Sequence, residues 1–183
     1  MPLTMLDSRS ALVVIDLQKG IVGLPLAQDV APVIAKAKTL ADAFRARGLP
    51  VVWVNVSGGA PGRTEQPPHS GEMPADWTEL VPAVGAQPAD HRVTKKTWGA
   101  FTGTDLHAYL QSQGVTQVVL LGVATSIGVE STARFASELG YNVSLVADAM
   151  ADLRPETHEN SLVRIFPRLG EVGSAEEVVA LLG

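Results

Sequence analysis

The chain has no cysteine among its 183 residues. That absence excludes disulfides, zinc ribbons, iron–sulfur clusters and any thiolate nucleophile. It suits a reducing compartment, and a cytoplasmic location is expected. Charge is sparse as well. Asp, Glu, Lys and Arg make up 18% of the residues, and 14 basic against 19 acidic side chains leave a net charge of −5. No basic stripe stands out, so nucleic acid is not an expected partner. No apolar run reaches the ~20 residues that span a bilayer, so no membrane association is expected. The first nine residues mix acid and base without an apolar stretch, so no signal peptide is expected there. Aromatic residues are only 5% of the chain, yet 46% of it is apolar and the mean hydropathy is +0.18. That is enough to bury the core of one domain, expected over residues 1–183.

Apolar runs alternate with stretches of helical period, the pattern of a parallel sheet wrapped by helices. Doubly buried strands are predicted at 11–15, 50–56, 91–96, 117–123 and 142–147, with a shorter sixth at 168–172. Helices are predicted over 30–47, 105–113, 129–139 and 156–165, several of them closed by glycine. Ser174 followed by Glu177 is a capping box that opens a last helix. Residues 57–88 break the rhythm with repeated glycine and proline. They read as a loop or lid with one helical turn near 76–80; an insertion without function is the plain alternative. The expected fold is therefore a three-layer α/β/α domain, Rossmann-like and doubly wound, on a mostly parallel six-stranded sheet.

In such sheets ligands bind outside the carboxyl ends of the strands. The predicted strand ends carry Asp16 and Gln18, then Lys95 through Phe101, then Val123 through Gly128, then Asp148. Asp16 follows an apolar strand, where desolvation raises a carboxyl pKa and a nearby ammonium lowers it. Lys95 is the candidate ammonium, and an Asp–Lys pair at a cleft is an acid/base device. The plainer alternative has Asp16 capping a turn and Lys95 on the surface. Val123 to Gly128 reads as a tight strand-to-helix elbow. No phosphate-binding glycine fingerprint is present.

These residues carry a resemblance. Val-Ile-Asp-Leu-Gln ending at Gln18, Lys-Lys-Thr-Trp-Gly-Ala-Phe from Lys95 to Phe101, and Gly-Val-Ala-Thr-Ser-Ile-Gly from Gly122 to Gly128 resemble three motifs of the isochorismatase-like hydrolases, in order. The strand leading to Asp148 is similar too. The resemblance implies a site built on Asp16, Lys95 and the elbow residue, Gly128. Many members place a nucleophilic cysteine at that elbow; Gly128 cannot attack, and the branch that lacks the cysteine uses the Asp as an acid towards a vinyl-ether carbon. It further implies substrate contacts from Gln18, Trp98, Phe101, Val123, Ala124 and Ile127, and a cis peptide between Val123 and Ala124 that turns amides toward an anion. Where metal-binding members carry Asp-x-His, this chain has Asn55-Val-Ser57, so neither a metal nor a cofactor is expected. The four histidines, His69, His91, His107 and His158, are too scattered for a ligand set. Arg63 is the candidate carboxylate binder, and Gly99 replaces a usual serine. Ser126 and Ser131 are alternative nucleophiles without an evident base. Trp53 and Trp77 are assigned to packing or a subunit contact, since a homo-oligomer is implied. The expected function is acid-catalysed hydrolysis of a small polar or anionic substrate. The alternative is a non-catalytic binding or assembly protein on the same scaffold.

Overall fold

The computed structural model describes residues 3–65 and 73–183. The part of the glycine- and proline-rich loop at 66–72, with His69, lies outside the described residues. Among those described, the apolar runs pair into one sheet of six strands. They are β1 (Ser10–Ile15), β2 (Val51–Val56), β3 (His91–Lys95), β4 (Gln117–Val123), β5 (Asn142–Ala151) and β6 (Glu171–Gly173). Their order is β3-β2-β1-β4-β5-β6, and every neighbouring pair is parallel. Every residue of β1 and β4 is buried, as continuous apolar runs covered on both faces must be.

The helices are α1 (Lys19–Val22), α2 (Val30–Ala46), α3 (Leu106–Ser112), α4 (Glu130–Glu138), α5 (Pro155–Asn160) and α6 (Ala175–Leu182). Asp29 caps α2 by accepting a hydrogen bond from the Ala31 amide, at 3.0 Å. Val33, Ala37, Leu40, Ala41 and Phe44 then recur on one face and are buried. With Trp53 and Val178 they form the core on the α2/α6 side of the sheet. Leu106 and Leu110 of α3, Ala133 and Ala136 of α4, and Phe166 fill the opposite side. The result is the three-layer, doubly wound arrangement expected. The capping box of α6 forms in both directions: Glu177 N–H donates to Ser174 Oγ at 3.2 Å, and Ser174 N–H to Glu177 Oε2 at 2.7 Å.

Three elements depart from the sequence reading, and the first two shape the site. The fifth strand runs to Ala151 rather than stopping at residue 147. Between Leu120 and Gly122 of β4, its partner advances from Leu145 to Met150, a wide bulge that the alternation of residues does not reveal. The helix expected from Val129 is preceded by a π-helical turn over Thr125–Val129. The helix expected over 156–165 is likewise split into α5 and a π-helical turn at Ser161–Ile165. Among the described residues, no helix is long and apolar enough to cross a membrane.

Candidate active site

A sheet ordered 3-2-1-4-5-6 reverses its winding between β1 and β4, and a crevice opens beyond their carboxyl ends. Asp16 leaves β1 and the elbow leaves β4 at that point. Close approach of the two strands requires Gly122. Its φ is +119°, and a Cβ there would lie 2.1 Å from the Ile15 carbonyl oxygen.

Asp16 sits at φ +52°, a left-handed conformation that aspartate tolerates better than most residues and that here aims its side chain off the end of β1. Its amide still donates to Val54 O at 2.9 Å, which ties it to β2. Lys95 is the last residue of edge strand β3 and lies opposite Val56 of β2. Strand alternation puts Val93 and Lys95 on the buried face while Arg92 and Thr94 are exposed. From there Lys95 Nζ donates to Asp16 Oδ2 at 2.7 Å. Asp16 is 5% exposed and Lys95 2%. The other carboxylate oxygen, Asp16 Oδ1, is buried without a hydrogen-bond partner. Burial pushes the Asp16 carboxyl up from its ordinary 3.8 to about 6, against the Lys95 ammonium and its hydrogen bond, which hold it down. The alternative reading, a turn cap beside a surface lysine, is excluded by this pairing. Lys96, next in sequence, is exposed.

The elbow contains the implied cis peptide, between Val123 and Ala124. Three of its amides are engaged within the protein. The Ser126 N–H donates to Asp152 Oδ2 at 2.6 Å, and the Ile127 and Val129 N–H groups donate to Ala124 O at 3.2 and 3.1 Å. Gly128 faces the Asp16 pair closely. A Cβ at 128 would stand 3.3 Å from Asp16 Oδ2 but only 2.9 Å from Ile15 Cγ2. The space above Gly128 is therefore partly taken by Ile15, and any side chain there displaces that methyl.

Asp152 is a residue that the sequence reading missed. Because β5 extends through its bulge, the acid at the strand end is Asp152 and not Asp148. Asp148 instead pairs with Lys36 at 2.7 Å and accepts the Ala175 amide of α6 at 2.8 Å. Asp152 is almost fully buried and also accepts the Leu153 N–H, at 2.7 Å. The signal lay in the apolar Ala149-Met150-Ala151, which prolongs the strand past Asp148. Thr125, also missed, is wholly buried; its hydroxyl donates to Ala151 O at 3.1 Å and meets His158 Nδ1 at 2.8 Å. That hydroxyl has one hydrogen, so His158 Nδ1 is the donor to it. Replacing Asp152 by Ala strips the Ser126 amide of its acceptor. We expect a loss of about 1–3 kcal/mol, read as a lower urea midpoint, with Asp152→Asn retaining part of it.

Asp16, Lys95 and Gly128 line one cavity of about 270 Å³ together with Trp98, Val123, Ala124 and Ile127. Two expected contacts lie elsewhere. Gln18 is wholly buried as a strut: its Nε2 donates to Val56 O and Trp77 O at 3.0 Å each, and its Oε1 accepts the Val56 amide at 2.7 Å. A side chain with its polar atoms so engaged is not offered to a ligand. Phe101 is packed in the α3/α4 core and stacked on Tyr141, outside the cavity lining. Trp77, assigned to packing or a subunit contact, packs across Gly20, where a Cβ would meet its indole at 2.1 Å, and also forms a cavity wall, held by the strut from Gln18. Trp53 is core, its Nε1 donating to Asp90 at 2.7 Å.

Arg63, Ser126 and Ser131 are not in the lining. Asn55 donates to Thr78 O and accepts from Thr94, outside that cavity. His91 stacks on Tyr109 and His107 bonds the Tyr141 hydroxyl. Among the described residues, no cluster of three or more His, Cys, Asp or Glu is arranged to hold a metal ion.

The chain resembles known proteins in sequence and in fold. A protein of Bacillus subtilis (strain 168), the isochorismatase family protein YwoC, is 48% identical over 176 residues, covering 92% of each chain. Ureidoacrylate amidohydrolase RutB of Pseudomonas syringae pv. syringae (strain B728a) is 30% identical over 207 residues, 96% of this chain and 84% of the relative. The solved structure of an isochorismatase family protein from Burkholderia thailandensis superimposes with a TM-score of 0.93 at 46% identity, over 97% of both chains. Residues 10–177, which run from β1 and its Asp16 through the elbow to the capping box of α6, match the Isochorismatase domain. With a family match that takes in both halves of the switch-point crevice, the chain belongs to the isochorismatase family.

Proposed function

We propose that the protein is a hydrolase in which Asp16, held by Lys95, donates a proton to the substrate, with no cysteine nucleophile and no metal. The observation that carries this reading is the buried, unpartnered Asp16 Oδ1 on a carboxyl that burial pushes up to about 6, in the wall of a cavity that Lys95 and Gly128 also line. Gly128 is read as the position where cysteine-dependent relatives carry their nucleophile. The reaction type is vinyl-ether hydrolysis. The Asp16 proton adds to the terminal alkene carbon, and the electron pair of the double bond forms that C–H bond. The resulting oxocarbenium ion is captured by water, which returns a proton to the Asp16 carboxylate. The hemiacetal then separates into an alcohol and a carbonyl compound. Lys95 binds Oδ2 throughout, which leaves Oδ1 to carry the proton and stabilises the carboxylate after transfer. A positioned acid of this kind is worth about 10²–10⁴-fold in rate.

The sign of the pH dependence tests it. An acid must be protonated in the free enzyme, so kcat/KM is expected to be level below about pH 6 and to fall tenfold per unit above it. The relative RutB is named as an amidohydrolase. Were Asp16 to serve this chain as a base in amide hydrolysis, the same limb would rise through pH 6 instead of falling. A ligand that raises Tm without any turnover would favour a binding protein.

A further inference from the structure

We infer that the substrate of this site is a small, uncharged molecule with an apolar body, not an organic anion; the inference rests on the acid-catalysis reading above and names its substrate class. The walls of the cavity decide this. Ile21, Leu24, Leu26, Val56, Ile127 and Leu153 give the lining an aliphatic face, and Trp77 adds a flat one. Trp98 stands at the rim, 66% exposed. The charged side chains among the described lining residues are Asp16 and Lys95 alone, and they answer each other. Lys95 is not a free anion hook. Only 2% of it is exposed, and its ammonium is committed to Asp16 Oδ2.

Two further candidate cations are used or placed elsewhere. Lys19 is bound to Asp76 and Glu79, and Arg63 is not part of the wall. The elbow amides of Ser126, Ile127 and Val129 are consumed by Asp152 and Ala124. A carboxylate brought into this cavity would thus lose its water without meeting a free cationic side chain among the described lining residues, and would lie against an acid that must release its own proton as a carboxylate. Burying an unpaired charge is strongly unfavourable, whereas an apolar body gains from leaving water. At about 270 Å³ the cavity is also below the ~300–1,000 Å³ common for drug-sized ligands, which limits the substrate to one ring or its equivalent.

The test uses a matched pair on the full-length protein: phenyl vinyl ether and 4-(vinyloxy)benzoate, hydrolysed to acetaldehyde with phenol or 4-hydroxybenzoate. We expect kcat/KM for the neutral ether to exceed that for the benzoate at least tenfold. Leu153→Arg, which sets a cation in the wall at a partly exposed position, is expected to narrow or invert that ratio. Binding is measured separately by calorimetry with the saturated analogues, ethyl phenyl ether and 4-ethoxybenzoate, where the neutral compound is expected to bind more tightly. Equal or better turnover or binding of the benzoates overturns the inference while leaving acid catalysis standing. Binding of neither analogue overturns it as well. Preferential binding of the neutral analogue without hydrolysis of either ether supports the substrate class and removes the acid-catalysis reading.

Discussion

Asp16→Asn is expected to lower kcat/KM for a vinyl ether by roughly 10²–10⁴-fold while the protein remains folded. The substitution separates chemistry from architecture. Asparagine, like aspartate, adopts the left-handed backbone that residue 16 requires at φ +52°. Its side-chain oxygen can still accept the hydrogen bond from Lys95 Nζ. What it cannot do is deliver a proton and take one back, because an amide N–H is not acidic in this range. Urea unfolding should therefore report a cooperative transition, and the loss should appear in kcat rather than in the binding of a saturated analogue. Full turnover by Asp16→Asn would remove the aspartate from the chemistry altogether.

Lys95→Met has the second large effect, and it appears as a shift in pH as well as a loss. Methionine replaces the buried lysine stem at similar length but leaves the Asp16 carboxylate without its cation. Lys95 is what holds the Asp16 carboxyl down against burial, so its removal moves that carboxyl above about 6. The falling limb of the rate profile should move to higher pH by the same interval, which a merely structural loss would not produce. Stability changes in a direction that can be worked out. In the wild type the folded carboxyl keeps its proton between its ordinary 3.8 and about 6, where the unfolded chain has already released it. That contribution is complete below about pH 4 and disappears as the pH rises through about 6. In Lys95→Met the window extends upward, so stability should continue to fall with pH beyond the point where the wild type has levelled. Above the shifted limb the loss should approach the ~3–5 kcal/mol of a broken buried ion pair. Denaturant titrations at a series of pH values give this difference, and identical slopes for the two proteins would contradict the coupling.

Several particulars of the site were beyond reach before the chain was folded. Gln18 and Phe101 lie in motifs that resemble the family's, which marks the segments and not the direction of each side chain. Gln18 points to the backbone of β2 and of the Trp77 segment, and Phe101 to the α3/α4 core. A strand read over 142–147 puts Asp148 at its end, and such a reading cannot register extra residues absorbed in a bulge; Asp152 therefore goes unseen. The elbow amides looked available because a helix N-terminus offers its donors by default. A π-helical turn and the buried Asp152, just beyond β5, engage those of Ser126, Ile127 and Val129.

Local sequence was sufficient where the physics is local. Doubly apolar runs set the six strands of a parallel sheet, a glycine-terminated amphipathic stretch set α2, and a Ser–Glu pair set the start of α6. The lack of cysteine excluded a thiolate, and the apolar strand before Asp16 indicated a desolvated carboxyl. The tertiary structure alone decided that Lys95, 79 residues away in the chain, crosses β2 to reach that carboxyl, and that Ile15 fills part of the space above Gly128. It also decided that the cavity around them is lined by aliphatic and indole groups. Each of these depends on which strands lie side by side and in what register. Registers are set by the summed packing of the whole sheet, which no single segment encodes.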